Sequence, residues 1–269
     1  MGILQKESVI FVGNGGSLLN KGLGYKIDKF DKIIRVNNWK TYLHENDSGT
    51  KTKIWITYNP TKQISKFIRD YKGFDFKDDE IKELVSDLEE VWYISWRSDN
   101  INYNWEDTSH LKWLGIYNNV LKRHISNEYA NNINKLVNIP STGFMSLLTL
   151  LETYDKIYMT GIDFWGRLFD SEFEHYYKTG KKSHHYSIEE VNKRPNRFVK
   201  GGFVHNPDIE ASIIKDYMNE GRIINLEKNT KIEKSEIITN ETNYTCNRCN
   251  SSSRLYSWEN TICHRCENI

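Results

Sequence analysis

Two groups of residues in this chain have the types and spacing to do chemistry. All four cysteines lie after position 245, as Cys246-Asn-Arg-Cys249 and Cys263-His-Arg-Cys266, two C-x-x-C knuckles separated by 13 residues. Each knuckle lets two thiolates reach one ion, and a pair of knuckles completes a tetrahedral sulfur shell at about 2.3 Å, the pattern of structural zinc. Between them SSSRLYSWENTI suits a β-hairpin, with Leu255, Tyr256 and Trp258 to cover the ion. A segment of about 25 residues cannot build a core alone, so zinc would drive its folding with on the order of 10–16 kcal/mol. Four thiolates leave no open coordination position, so no catalysis is assigned to this metal. His264 reads as a solvated knuckle residue, and Arg248, Arg254 and Arg265 form only a sparse basic surface for a protein or nucleic-acid partner.

The second group sits at the ends of short apolar runs. Val9-Ile-Phe-Val leads into Gly13-Asn14-Gly15-Gly16-Ser17, a glycine-rich turn whose amides can approach an anion. The dinucleotide fingerprint G-x-G-x-x-G fails here, because position 18 is Leu. Arg35-Val36-Asn37-Asn38 and Tyr58-Asn59-Pro60 end two further runs in carboxamides. Pro140-Ser141-Thr142-Gly143 offers two hydroxyls and free amides at the start of an apolar helix. Each alone reads as a cap or turn. Together they form tips rich in Asn, Ser, Thr and Gly on one side of a sheet, suited to a hydroxylated, mildly anionic ligand.

Such tips must be carried by an α/β layered fold. The first 227 residues alternate β-branched runs with helix-like stretches, as that fold requires. Strands are expected at 8–12, 32–36, 53–58, 91–96, 156–160 and 222–226. Helices are expected over 61–71 behind the Asn59-Pro60 cap, over 79–89, over 109–124 and over 143–154. Asn206-Pro207-Asp208 opens another that runs to about Asn219 before Gly221. The basic stretch 178–202 reads as a long loop. The expected organisation is an α/β domain over 1–227, its mostly parallel, Rossmann-like sheet flanked by helices, a polar linker over 228–243, and a small zinc ribbon over 244–269.

Composition excludes several classes. Lys+Arg 37 against Asp+Glu 36 leaves a net charge of +1, so no global field draws the chain to nucleic acid. No apolar run approaches the roughly 20 residues that span a bilayer. The start, MGILQKESVIFVG, lacks signal-peptide anatomy, and Lys6 stands where a myristoylation signal needs Ser or Thr. Four clustered cysteines are no disulfide scaffold. A cytoplasmic location, with at most peripheral membrane contact, is the expectation.

VGNGGSLL, RVNN, YNP, PSTGFMSL and TGIDFW, in this order, resemble the bacterial lipooligosaccharide sialyltransferases. The stretch FVGNGGSLLNKGLGYKIDKFDKIIRVNN, together with PSTG, is similar to the large and small sialylmotifs of animal sialyltransferases. His205 and Glu210 are similar to that family's last motif, His-x4-Glu. The islands span residues 8 to 220. The resemblance implies a GT-A-like α/β fold, a CMP-activated sialic acid as donor, a glycan or glycolipid hydroxyl as acceptor, and inverting transfer without a catalytic metal. By motif match Asn14, Gly15, Asn37 and Asn59 would hold the nucleotide and its ribose. Ser141, Thr142 and Gly143 would hold the phosphate and sugar carboxylate, and Phe164 with Trp165 would line the cytidine side. The family often has Tyr where Trp165 stands. Tyr176, Tyr177, or the group His184, His185 and Tyr186 would then replace the phosphate-directed phenol. The bacterial family's Arg before its Ser/Thr-Gly is absent at Asn138 and Ile139, and a zinc ribbon is no part of the family pattern.

The chemistry agrees on two points. The chain has no Asp-x-Asp, the carboxylate pair that holds a divalent ion on a sugar diphosphate. A donor with one phosphodiester needs less neutralisation, so amides, hydroxyls and a phenol or imidazole suffice. Inverting transfer also needs a base, and His205 stands between Gly201-Gly202 and a helix start, whose dipole favours the neutral imidazole. Such a base is worth about 10²- to 10⁴-fold. Glu210 either complements the helix dipole or orients the site, and Asp163 anchors the strand-to-loop turn. The reading from another class is a non-catalytic nucleotide-binding protein whose zinc ribbon contacts nucleic acid or protein. A Rossmann oxidoreductase is opposed by the missing third glycine.

Overall fold

The computed structural model of the protein describes residues 6–94, 109–137, 139–172, 175–177, 205–226, 231–236, 243–245 and 252–254. The cysteines, His184, His185, Tyr186 and the stretch 178–202 lie outside the described residues.

The central sheet is built from β2 (Val9–Val12), β3 (Lys32–Val36), β4 (Ile54–Thr57), β5 (Glu90–Tyr93), β6 (Leu121–His124), β7 (Ile157–Thr160) and β8 (Ile223–Asn225). Its order is β6-β5-β4-β3-β2-β7-β8, and each neighbouring pair is parallel. Parallel strands need covered faces, so the inner strands are mostly apolar on both sides, Arg35 of β3 and the edge strand β6 (Leu-Lys-Arg-His) being exceptions. In β2, Val9 and Phe11 join the core on one face while Ile10 and Val12 join the other. The helices of the first face are α6 (Asn127–Leu136), α7 (Thr142–Leu151) and α8 (Pro207–Asn219). On the second, α1 (Gly24–Ile27) covers β2 and β3, while α3 (Pro60–Lys72) and α4 (Asp78–Glu83) cover β4 and β5. The short helices α2 (Glu45–Ser48) and α5 (Ser109–Trp113) complete the described set. The chain grows outward from β2 to β6, then returns to β7 on the other side of β2. That reversal opens a crevice at the carboxyl ends of β2 and β7, where doubly wound sheets hold ligands.

Two expected helices are corrected. The 109–124 segment is α5, a turn and then β6: Gly115 takes φ +75°, which ends the helix, and Leu121–His124 pairs with β5. The apolar spacing at Leu111, Leu114 and Val120 is real, but it reports packing of a helix, a turn and a strand start on one core. The 79–89 helix stops at Glu83, and Glu89 already hydrogen-bonds towards β4 through Lys53 O at 2.8 Å. Helix α6, which begins at the cap Ser126, was not among the expected elements.

Part of the stretch read as a linker packs on the sheet. β9 (Ser235–Glu236) pairs antiparallel with β1 (Lys6–Glu7). The Tyr158 hydroxyl donates to Lys231 O at 2.8 Å and accepts from Glu233 N at 2.9 Å. Beyond it, β10 (Asn243–Thr245) pairs antiparallel with β11 (Ser252–Arg254). Among the described residues no helix is long and apolar enough to cross a membrane.

Candidate active site

The carboxyl-end rim is held together by its own polar groups. Gly13 N and Gly15 N donate to Thr160 O and Gly161 O, at 2.8 and 2.7 Å, so the turn after β2 lies directly on the turn after β7. Only glycine fits there: a Cβ on Gly15 would stand 2.3 Å from Asp163 Oδ2. Asp163 is buried, and burial pushes its carboxyl pKa upward. It accepts from Ser17 N at 2.9 Å and from the Ser17 hydroxyl, so it braces the glycine-rich turn after β2, where the sequence reading has it anchor the turn after its own strand.

From that turn the rim extends over β3 and β4. Asn14 Nδ2 donates to Val36 O at 3.0 Å, and Asn37 Oδ1 accepts from Tyr58 N at 3.4 Å, joining the three tips. Asn37 has φ 54°, a left-handed conformation that turns the chain sharply out of β3. Asn59 is the N-cap of α3 and accepts from Lys62 N at 2.9 Å, with Pro60 in the first helical position.

The other side of the rim is a clasp between α7 and α8. Ser141 caps α7, its hydroxyl accepting from Phe144 N at 3.2 Å. Glu210, four residues into α8 and wholly buried, accepts from Ser141 N at 2.7 Å and from Ser141 Oγ at 2.6 Å. Burial outweighs those two bonds and pushes the Glu210 pKa up to about 7. This overrides the helix-dipole reading: the carboxyl reaches across to α7 and orients the Ser141-Thr142-Gly143 turn. Thr142 and Gly143 are half-buried, and a Cβ on Gly143 would meet only Ile162 and Ser141 at ordinary contact.

His205 precedes the α8 cap Asn206 and shares this clasp. Its Nδ1–H donates to Ile139 O at 2.9 Å, in the connection between α6 and α7. That bond assigns the proton to Nδ1 and leaves Nε2 as the basic nitrogen. Burial lowers the imidazole pKa, with the Ile139 carbonyl working against it. The ring stacks on Trp165 at 5.8 Å and 22°.

Several expected roles change. Phe164 is buried and packs edge-on against Phe144 at 6.5 Å, so it is core and does not line a cytidine pocket. Tyr176 and Tyr177 are buried too, with hydroxyls donated to Lys40 O and Asn38 O; neither is a phosphate-directed phenol. They serve instead as a staple: Tyr176 N and His175 Nδ1 bond Asn14 O, at 3.1 and 3.2 Å, tying the first rim turn to the loop after β3. The staple was missed from sequence; for Glu210 the orienting alternative is the one the geometry favours, though its partner Ser141 was not named. The spacing of Glu210, five residues after His205 across a capped helix start, was the one signal available for the clasp. Among the described residues no group of three or more His, Cys, Asp or Glu side chains is placed to hold a metal ion.

A mostly parallel sheet flanked by helices, with an amide-rich rim at its switch point and an imidazole held beside a capped helix start, defines a doubly wound α/β architecture. The chain belongs to glycosyltransferase family 29, the sialyltransferases, whose profile matches residues 6–222. It is similar to rat CMP-N-acetylneuraminate-beta-galactosamide-alpha-2,3-sialyltransferase 4, 24% identical over 237 residues, covering 83% of this chain and 65% of the relative. Mouse CMP-N-acetylneuraminate-beta-1,4-galactoside alpha-2,3-sialyltransferase is 47% identical over 55 residues, 20% of this chain and 15% of the relative. The chain thus spans about two-thirds or less of the curated relatives it matches. The crystal structure of a mammalian sialyltransferase shares the fold, with TM-score 0.50 and 15% identity over 82% of this chain and 69% of that one. The family corrects the cytoplasmic expectation. The relatives are rat and mouse sialyltransferases, and the cytoplasmic location is withdrawn.

Proposed function

We propose that the protein transfers a sialic acid, or a related 2-keto sugar acid, from a CMP-activated donor to a glycan or glycolipid hydroxyl. Family membership supports the reaction class, and the relatives' names specify CMP-N-acetylneuraminate and galactosides. The bacterial likeness rests on the short motifs alone. The observation that carries the assignment of roles is His205 with its Nδ1 proton given to Ile139 O, two residues before the Ser141-Thr142 turn. Nε2 is thereby the base that takes the acceptor proton as the hydroxyl attacks the anomeric carbon. Ser141, Thr142 and Gly143, at the amino end of α7, are assigned the phosphate and sugar carboxylate, because their amides and hydroxyls favour negative charge. Asn14, Gly15, Asn37 and Asn59 are assigned the nucleotide along the opposite rim. No divalent ion is assigned to the transfer.

The chain is further proposed to bind one structural zinc through Cys246, Cys249, Cys263 and Cys266. The antiparallel pairing of β10 with β11 brings the two flanks of the first knuckle together, which supports that knuckle; of the hairpin expected over 251–262 only 252–254 are described. A protein partner for this ribbon belongs to the same proposal.

The test is release of CMP from CMP-sialic acid in the presence of a galactoside. The parent chain should release it, and His205→Ala should lose at least about 10²-fold while still binding CMP. Saturable nucleotide binding with no turnover in the parent would favour the non-catalytic reading instead.

A further inference from the structure

Phe164, Trp165 and Gly166 have φ of 46°, 52° and 81°, three successive left-handed residues of which two carry side chains. Backbone of this kind persists only where the surroundings over-determine it. Here the bracing is explicit. Arg167 Nη1 donates to Trp165 O at 2.7 Å, while Arg167 Nε meets Asp208 Oδ1 at 3.4 Å in the first turn of α8. The same turn that is strained is therefore tied to the helix that begins just after His205. Its product is the stack of the Trp165 indole on the His205 imidazole, 5.8 Å between centroids and 22° between planes.

Among the described residues no carboxylate is hydrogen-bonded to the His205 ring. Its Nδ1–H is given to a neutral carbonyl, Ile139 O, and the Glu210 carboxyl is committed to Ser141. Among the described neighbours the charged or titratable groups are Arg167 on the Trp165 turn, and Asp208 and Glu210 on α8. Asp208 is paired to Arg167, and residues 139–141 contribute none.

We propose that Trp165 is a positioning residue for His205, its indole face fixing the ring and stabilising the imidazolium formed during transfer. This rests on the transfer reading above. In the step, the acceptor oxygen bonds to the anomeric carbon and its proton passes to His205 Nε2. The bond from that carbon to the phosphate oxygen breaks, and its electron pair leaves with CMP. Positive charge appears on the ring only in this step, and a cation within about 6 Å of an indole is attracted to its face. The contact is thus stronger in the transition state than before it, which is the condition for raising kcat.

The experiment compares the parent with Trp165→Phe and Trp165→Leu by the pH dependence of kcat and kcat/KM for transfer to a galactoside. Trp165→Leu should lower kcat about fivefold or more, leave the donor KM little changed, and move the acid limb of kcat/KM to lower pH. Trp165→Phe should restore most of both. A loss uniform across pH, with the limb unmoved, would show a structural role only and overturn the proposal. Fluorinated tryptophan at position 165 keeps the packing while draining the ring face. It should move the limb in the same direction in steps, and an unmoved limb there overturns the proposal even if Trp165→Leu fails to fold. Absence of transfer by the parent sinks the transfer reading itself. In that case the His205 NMR titration in parent and fluorinated protein still decides whether the indole stabilises the imidazolium, and identical curves would overturn the stack's role.

Discussion

Glu210→Gln is the perturbation whose outcome follows most closely from the geometry. The carboxyl is wholly buried against Ser141, and its pKa rises from 4.5 to about 7 because burial disfavours the charge. Between those two pH values the unfolded chain has released a proton that the folded chain still holds. Stability from this group is therefore complete below 4.5, falls as pH rises, and levels off above about 7. At about 1.4 kcal/mol per pH unit, the loss by pH 8 is roughly 3 kcal/mol. Glutamine copies the protonated form: one oxygen accepts from Ser141 N–H, and the amide NH2 donates to Ser141 Oγ. The variant should match the parent in thermal unfolding at pH 5 and exceed it at pH 8. The difference should be roughly 6–12 °C at about 2–4 °C per kcal/mol. Other titrating groups cancel in the comparison. A Tm difference independent of pH, or a parent that gains on the variant as pH rises, would refute the reasoning.

Gly15→Ala would place a methyl 2.3 Å from Asp163 Oδ2, which Ser17 holds in place; urea unfolding should show a loss of about 2 kcal/mol or more, and a CMP-induced thermal shift should vanish. The acid limb of kcat/KM should lie below the ordinary imidazole value of 6.5, because burial lowers the His205 pKa and only the neutral ring accepts a proton. Initial rates across pH 5 to 8 read this directly, and a limb above 6.5 would contradict it. The purified full chain should contain one zinc by elemental analysis, lost in Cys246→Ser with Cys263→Ser, and chelation should leave the transfer rate intact.

Much of the fold was legible because parallel strands buried on both faces read as unbroken apolar runs. Lys32–Val36 and Pro207–Asn219 stand where the runs and the Asn-Pro cap put them. The failure at 109–124 has a physical cause: apolar residues of a short helix, a turn and a strand start share a helical period, and Gly115, at φ 75°, breaks the helix within it. The amide-rich rim was visible from composition at strand ends. What the amides do was not, since Asn14 and Asn59 spend polar atoms on Val36 O and Lys62 N, contacts set by tertiary approach and local capping. The tyrosines were misjudged for the same reason. A phenol is equally suited to a phosphate and to a buried carbonyl, and only packing separates the two. Glu210 is the reverse case, where a pair five residues apart acquires meaning once α7 is seen against α8.

The most direct test of the central claim is NMR of the product formed from CMP-sialic acid and a galactoside in excess EDTA. Metal-independent, inverting transfer predicts a sialoside with the anomeric configuration opposite to that of the donor, formed by the parent and not by His205→Ala. A product of retained configuration, a reaction abolished by EDTA, or undiminished product from His205→Ala would contradict it.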